Sequence, residues 1–290
     1  MAADATTAGT AVLLLTCADR PGIVAAVSDF VARRGGNIIH AEQHTDLQQS
    51  VFFQRVEFEL AGFALGPAEI RPAFEEIAAR FSMRFDVRFT SQRERVAILV
   101  SRQAHCLYDL LGRWRGGELR ADVGVVVSNH PDHADVAGHF GVAYRHLPVT
   151  ADTRAGQERE LATVLREHGT ELVVLARYMQ ILGPELLTEY PHRVINIHHS
   201  FLPAFKGASP YRQAYERGVK LIGATAHYAT DQLDEGPIIE QDVARVSHRD
   251  SVDDMVRKGR DLETAVLARA VRHHLDHRVL VYANKTVVFA

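Results

Sequence analysis

A continuous apolar run, Val96-Ala97-Ile98-Leu99-Val100, begins the larger part of this 290-residue chain. A strand without a polar face is typical of a parallel sheet that helices cover on both sides. Comparable runs recur at residues 171–175 and 194–197, with helix-like segments between the runs, one of them predicted at residues 179–189. This alternation predicts an α/β fold with a doubly wound, mainly parallel sheet, in which ligands bind at the carboxyl ends of the strands.

The part of the chain before this run follows a different plan. Its strands and helices are predicted, in chain order, at residues 11–16, 23–33, 37–45, 50–60, 67–81 and 85–89. Turn residues such as Asp19-Arg20-Pro21-Gly22 separate these elements, and Gly35-Gly36 ends the first helix. The order βαββαβ is the ferredoxin-like α+β plan. We therefore predict two domains, residues 1–90 and 91–290, and a polar linker at residues 90–95.

Composition excludes several classes of function. The net charge of −3 provides no positive field, so no nucleic-acid partner and no membrane partner is expected. The longest apolar runs are of strand length, and residues 1–9 lack the basic and apolar pattern of a signal peptide. Cys17 and Cys106 form neither a disulfide framework nor a CxxC metal motif. A cytoplasmic protein is the expectation.

The chemically most informative stretch is Asn196-Ile197-His198, at the end of a buried run. Side chains alternate along a strand, so Asn196 and His198 project to the same side. An amide N–H and an imidazole N–H can both stabilise the oxyanion of a carbonyl under attack, with roughly 3–4 kcal/mol per donor. Asp234 follows in a turn between strands predicted at residues 223–228 and 238–246. From there it can orient His198, or bind and deprotonate a water molecule.

Simpler interpretations of these residues stay open. Asn196 can cap a turn and Asp234 can end a strand without any catalytic role. His192, His199 and His248 are predicted to be solvated or capping residues. His199 and the histidine before it are expected to face opposite ways on a strand, which makes them a poor chelate. The chain has no HExxH motif and no GxSxG motif, so neither a metal site nor a serine nucleophile is expected.

The stretches NIHHSFLP at 196–203 and TDQLDEGP at 230–237 resemble the signature of the folate-dependent formyltransferase family. Members of this family act on 10-formyltetrahydrofolate, and the similarity extends over residues 96–289. The resemblance implies that Asn196, His198 and Asp234 form the catalytic trio. It implies a folate substrate, no further cofactor and no metal. The residues implied in substrate binding are Arg177, Tyr178, Met179, Gln180, Ile181, Leu182, His227 and Asp231.

The first domain resembles ACT domains, which bind small molecules and share the βαββαβ plan. The loop DRPGI at 19–23 is similar to the ligand-facing loop of these domains, and Asn37-Ile38 begins the second strand in the usual way. The resemblance implies an amino-acid effector, and the usual side-by-side pairing of ACT domains implies a homo-oligomer, either a dimer or a tetramer. The implied effector-binding residues are Asp19, Arg20, Pro21, Gly22, Ile23, Asn37 and Ile38.

The combination of the two domains resembles the folate-dependent hydrolases that release formate from 10-formyltetrahydrofolate. That activity implies a supply of formate for purine synthesis and control of the one-carbon folate pools. Transfer of the formyl group to glycinamide ribonucleotide is the alternative, and it needs a glycine-rich loop that binds a phosphate after the first strand. Here the loop at residues 101–105, Ser-Arg-Gln-Ala-His, contains no glycine, which favours water, although Arg102 and His105 can bind an anion. A catalytically silent regulator that binds folate or an amino acid is a third alternative.

Overall fold

The structure is a computed structural model that describes residues 9–150, 153–204 and 210–289. The chain forms two compact units. The first is Met1–Arg93 with Asp276–Leu280 and Val287–Ala290, and the second is Glu94–Leu275 with Val281–Thr286. The domain boundary suggested at residue 90 stays a prediction. Most of the segment that bears on a signal peptide, residues 1–8, lies outside the described residues.

The first unit is built on a four-stranded antiparallel sheet. Its elements are β1 (Thr10–Ala18), α1 (Ile23–Ala32), β2 (Ile38–Asp46), β3 (Val51–Glu59), α2 (Pro67–Phe81) and β4 (Arg84–Phe89). The strand order β2-β3-β1-β4 confirms the predicted ferredoxin-like plan. Phe30, Phe58 and Phe74 are almost wholly buried in its core. The rings of Phe30 and Phe74 meet edge to face at 5.1 Å.

The second unit contains a seven-stranded sheet. Its elements are β5 (Glu94–Val100), α3 (His105–Arg115), β6 (Ala121–Ser128), a 3-10 turn (Pro131–His133), α4 (Ala134–His139), β7 (Ala143–His146), α5 (Arg154–Glu167), β8 (Leu172–Leu175), α6 (Pro184–Glu189), β9 (Val194–His198), α7 (Pro210–Arg217), β10 (Leu221–Tyr228), β11 (Ile238–Arg245) and α8 (Val252–Leu275). A hairpin of β12 (Val279–Tyr282) and β13 (Lys285–Val288) follows. Within the described residues, none of the helices combines the length and the hydropathy needed to cross a bilayer.

The sheet of the second unit confirms the doubly wound prediction. Its strand order is β11-β10-β9-β8-β5-β6-β7, with β5 to β9 parallel and the last two strands, β10 and β11, antiparallel to their neighbours. Leu99 and Val173 pack on one face with Leu161 of α5, while α8 packs against β9 and β10. Because both faces are covered, the central strands carry no polar face. The carboxyl ends of β5, β8 and β9 lie along one edge, where the site forms.

Two local predictions are wrong. The helix expected at residues 179–189 begins only at Pro184, because Arg177 has a left-handed backbone (φ 64°) and Gly183 is extended. The amide of Gly183 is held by Glu158 Oε1 at 2.7 Å, which keeps residues 178–182 in an open loop. His199 was expected to face away from its neighbour, yet β9 ends at His198 and the two rings stack, with centroids 5.2 Å apart.

Candidate active site

Adjacent strands bring the candidate catalytic side chains together. Asn196 and His198 lie on β9 with one residue between them, so both point to the same side of the strand. The antiparallel neighbour β10 places His227 directly opposite Asn196. Nδ2 of Asn196 lies 3.2 Å from Nε2 of His227. The strand register therefore forms the Asn–His contact without any help from a loop.

His227 fixes the orientation of the Asn196 carboxamide. Nδ1 of His227 lies 2.9 Å from the carbonyl oxygen of Tyr228. Since a carbonyl oxygen only accepts, this nitrogen carries the proton, and Nε2 of the neutral ring accepts a hydrogen bond from Asn196. An amide nitrogen has two hydrogens, so Asn196 keeps a second N–H for another acceptor.

Asp234 reaches this pair from the turn between β10 and β11. Its backbone is left-handed (φ 57°), a conformation that Asp tolerates because its short polar side chain can bond locally. The turn is closed by a hydrogen bond from Tyr228 N to Pro237 O at 2.9 Å. A Cβ atom at Gly236 would lie 1.8 Å from the carbonyl oxygen of Tyr228, so only glycine fits there. The tight turn thus fixes the position of the carboxylate.

The carboxylate of Asp234 forms an acid–imidazole pair with His198. Its Oδ1 lies 3.1 Å from Nδ1 of His198 and 3.8 Å from Nε2 of His227. Burial alone would raise the pKa of Asp234, but the hydrogen bond that His198 donates is the main cause that outweighs burial and holds this pKa well below its usual range. Nε2 of His198 is buried and has no hydrogen-bond partner among the described residues. That nitrogen can exchange a proton with a bound substrate.

A cavity of about 640 Å³ contains the three groups. All three candidate catalytic residues line it, and so does every residue implied in substrate binding. Met179 and Ile181 are 59% and 58% exposed as residues, which provides apolar surface at the wall of the cavity. Tyr178 is buried instead, with its hydroxyl accepting a hydrogen bond from Gln157 at 3.0 Å. The cavity combines apolar walls with a few convergent polar groups, as ligand sites do.

Comparison with known proteins gives the family. The sequence model of the formyl transferase family matches residues 94–271, and that of the ACT domain matches residues 11–95. A formyltetrahydrofolate deformylase of Synechocystis sp. is 54% identical over 97% of this chain and 99% of its own length. The chain belongs to the formyltetrahydrofolate deformylase family. The predicted pairing of an ACT domain with a formyltransferase-like domain is confirmed.

Solved structures agree with membership of the deformylase family. A crystal structure of a formyltetrahydrofolate deformylase from Pseudomonas syringae has a TM-score of 0.95 at 50% identity, covering 97% of this chain and 94% of that chain. A glycinamide ribonucleotide transformylase from Symbiobacterium toebii has a TM-score of 0.66 at 34% identity, covering 70% of this chain and 97% of that chain. The two deformylases match nearly the whole chain, whereas the transformylase matches only part of it.

Several residues that line the cavity of this deformylase-family chain were not predicted from sequence, and two of them bear on its chemistry. The first is His199, which was expected to be solvated and instead lines the cavity beside His198. Burial, with the positive charge of Arg177, lowers the pKa of His199 to about 4. The second is Glu263 on α8, whose side chain is 1% exposed. A glutamate at a buried position of an amphipathic helix is the sequence signal that could have revealed it.

Glu263 is one of three neighbouring side chains that could together hold a metal ion. His105, Cys106 and Glu263 offer ligand atoms that lie within 4.8 Å of one another. Burial raises the pKa of the Cys106 thiol well above its usual value, which disfavours the thiolate that metals bind. Glu263 already pairs with His105, at 2.7 Å. The absence of a metal cofactor stays a prediction.

The implied effector residues of the first unit lie at the two ends of α1. Asp19, Arg20, Pro21 and Gly22 are exposed between β1 and α1, and Gly22 has a left-handed backbone (φ 93°). The guanidinium of Arg20 packs over Phe81, 4.7 Å from the ring centroid. Ile23 is only 2% exposed, and its side chain packs in the core.

After α1, Asn37 is exposed and donates a hydrogen bond to Glu59 Oε2 at 2.9 Å, while Ile38 packs partly buried against the core. The first unit thus offers the polar side chains of Asp19, Arg20 and Asn37, and an effector site there stays a prediction.

Proposed function

We propose that this chain hydrolyses 10-formyltetrahydrofolate to formate and tetrahydrofolate, and so supplies formate for purine synthesis and balances the one-carbon folate pools. The observation that carries the proposal is the convergence of Asn196, His198 and Asp234 in one cavity of about 640 Å³. An amide donor, an imidazole and a carboxylate are the groups that addition of water to a formyl carbon requires. The deformylases that match nearly the whole chain support the same substrate.

The loop after β8 is the proposed wall for the folate ring. Met179 and Ile181, together with Leu233 of the β10–β11 turn, expose large apolar side chains into the cavity. A flat heterocycle placed against these side chains would remove them from water, which is favourable by about 25 cal/mol for each Å² of apolar surface. The side chain of Arg177 contacts Glu263 and Gln103. Only the backbone of Arg177 is therefore proposed to contact the folate ring.

Addition of water is the first proposed step. The low pKa of Asp234 makes its carboxylate a weak base, and its Oδ1 faces Nδ1 of His198. We therefore assign the proton transfer to Nε2 of His198, which takes a proton as the water oxygen bonds to the formyl carbon. Asp234 stabilises the imidazolium that forms. The second N–H of Asn196 donates to the developing oxyanion.

Collapse of the tetrahedral intermediate is the second proposed step. The bond from the formyl carbon to N10 breaks, and the imidazolium of His198 returns its proton to N10. The products are tetrahydrofolate and formic acid, which loses its remaining proton to solvent as formate, and Nε2 of His198 can accept a proton again. His227 acts through Asn196 and Asp234 as a positioning residue, because it contacts both groups.

The test is an incubation of the purified protein with 10-formyltetrahydrofolate, with and without glycinamide ribonucleotide. We expect formate and tetrahydrofolate in equal amounts without the acceptor, and no dependence of the rate on it. The variant His198→Asn should lose this activity, whereas Tyr215→Phe, on the exposed face of α7, should keep it. Transfer that requires the acceptor would establish a transferase instead, and binding without turnover would establish a silent regulator.

The remaining expectations concern partners and location. An amino-acid effector at the first unit, a homo-oligomer and a cytoplasmic location stay predictions. A thermal-shift screen of amino acids, with Arg20→Ala as the control for the effector loop, tests the first. Light scattering at several protein concentrations tests the second.

A further inference from the structure

A buried carboxylate lies in the wall of the catalytic cavity, outside the proposed mechanism. Glu263 projects from α8, its side chain is 1% exposed, and it lines the cavity together with Arg177 and Tyr211. Removing a carboxylate from water costs several kcal/mol unless donors replace the water. The donors around Glu263 therefore determine what this wall can bind.

Both oxygens of Glu263 are engaged. Oε1 accepts a hydrogen bond from the hydroxyl of Tyr211 at 2.7 Å. Oε2 lies 2.7 Å from Nε2 of His105 and 3.4 Å from Nε of Arg177. Burial alone would raise the pKa of Glu263, but the hydrogen bond from His105 and the charge of Arg177 outweigh it and lower this pKa. Glu263 is thus an ionised carboxylate whose charge is balanced within the wall.

Further contacts hold these donors in place. Nη2 of Arg177 donates to Oε1 of Gln103 at 3.1 Å, and Gln103 comes from the glycine-free loop after β5. The hydroxyl of Tyr211 fits against α8 at Gly259, where an added Cβ atom would lie 2.1 Å from it. Side chains from the start of α3, from the loop after β8 and from α7 therefore converge on Glu263. We name His105, Arg177, Tyr211 and Glu263 the Glu263 cluster.

The Glu263 cluster adjoins the candidate catalytic histidine. His199 lies between them, with its ring 5.2 Å from that of His198 and 6.2 Å from that of Tyr211. The other carboxylates that line the cavity, Asp231 and Asp234, belong to the β10–β11 turn. A nucleophile that approaches the formyl carbon past His199 thus contacts a wall in which the Glu263 carboxylate is already hydrogen-bonded and ion-paired.

We propose that the Glu263 cluster makes the site selective for water as the acceptor of the formyl group, an inference that rests on the proposed hydrolysis. A primary amine is largely an ammonium ion near neutral pH, so a free carboxylate in this wall would hold it by charge and take one of its protons before its nitrogen attacks. Glu263 cannot serve because Tyr211, His105 and Arg177 occupy it. Water carries no charge and needs no such partner.

The inference predicts a second reaction when a hydrogen-bond donor to the Glu263 carboxylate is removed. In that reaction the amine nitrogen bonds to the formyl carbon, the bond from that carbon to N10 breaks, and one amine proton moves to N10. The products are an N-formylamine and tetrahydrofolate. Tyr211→Phe is the direct variant, because it removes one hydroxyl and leaves Oε1 of Glu263 without its donor.

The experiment measures the ratio of two products. Wild-type protein and variants receive 10-formyltetrahydrofolate with glycinamide as the amine, and formate and N-formylglycinamide are quantified by mass spectrometry. A ratio of products does not depend on the folded fraction, so a merely destabilised variant would not change it. We expect Tyr211→Phe to raise the share of N-formylglycinamide by about tenfold or more, the effect of one charge-assisted hydrogen bond. His105→Asn, which is too short to reach Oε2, should act in the same direction.

Two further variants complete the design. Tyr215→Phe makes the same change on the exposed face of α7 and should give the wild-type ratio. The double variant Tyr211→Phe with Glu263→Gln has no carboxylate at position 263 to bind the amine. It should give the wild-type ratio of products.

Formate as the sole product from Tyr211→Phe and from His105→Asn would refute the inference, as would N-formylglycinamide from the wild-type protein at the level of the variants. The absence of formate from wild-type protein without glycinamide would instead refute the proposed hydrolysis, and the inference with it.

Discussion

Replacement of Asp234 by asparagine tests the acid–imidazole pair most directly. The variant keeps the size of the side chain and tolerates the left-handed backbone at this position (φ 57°). Oδ1 of Asp234 lies 3.1 Å from Nδ1 of His198, and opposite charges at this distance attract by roughly 5 kcal/mol at an effective dielectric constant of about 20. The amide keeps a hydrogen bond but loses this attraction. With partial screening by water, we expect a loss of about 3–4 kcal/mol in stabilisation of the imidazolium, so kcat should fall by about 10²–10³-fold.

The assay is continuous detection of formate, coupled to formate dehydrogenase, over a range of 10-formyltetrahydrofolate concentrations. KM should change little, because the wall proposed to bind folate is unaltered. Asp135→Asn, which removes the same charge from an exposed position on α4, serves as the control. A kcat for Asp234→Asn within about threefold of the control would refute the role of Asp234 as the partner of His198. The assignment of His198 as the base would then lose its support.

The remaining predictions concern the turn, pH and the folate wall. Gly236→Ala would place a methyl group 1.8 Å from the carbonyl oxygen of Tyr228, so it should lower the free energy of unfolding by about 1–3 kcal/mol in urea titrations and reduce kcat as the turn shifts. His199 has a pKa lowered from 6.5 to about 4, so between these pH values the unfolded chain binds a proton that the folded chain does not, and stability falls as pH falls. His199→Gln should therefore lose less stability than wild type from pH 6.5 to pH 4, by up to roughly 3 kcal/mol in denaturant titrations, and equal losses would contradict the shift. Met179→Ala, which shortens an apolar side chain of the cavity wall, should raise KM for 10-formyltetrahydrofolate about fivefold or more in steady-state kinetics with little change in kcat, and an unchanged KM would place the folate elsewhere.

Much of the fold follows from hydropathy patterns. The runs that became β5, β8 and β9 have no polar face, and only strands covered on both sides tolerate that pattern. The placement of Asn196 and His198 on one side of β9 follows from the two-residue period of a strand. The contact of Asn196 with His227 depends on the register between β9 and β10. Long-range packing sets this register, so a local sequence pattern does not predict it.

The wrong predictions have a common physical cause in backbone conformation at the ends of strands. Residues 179–182 have helix-compatible side chains, but the left-handed backbone of Arg177 and the contact of Gly183 with Glu158 redirect the chain. His199 is the first residue after β9, where the strand geometry has ended. The alternation of side chains along a strand therefore does not apply to it. The Glu263 cluster joins residues up to 158 positions apart, and such a group has no local signature beyond one charged residue on a buried helix face.

The separation of the trio from the Glu263 cluster has a consequence for the evolution of this fold. The groups proposed to activate the formyl carbon lie on β9, on β10 and in the turn that follows. The groups proposed to choose the acceptor come from the start of α3, from the loop after β8, and from α7 and α8. Changes in the second set can alter the nucleophile while the first set is inherited intact. On this proposal, a hydrolase and an amine formyltransferase differ on one side of the cavity and share the groups that activate the formyl carbon.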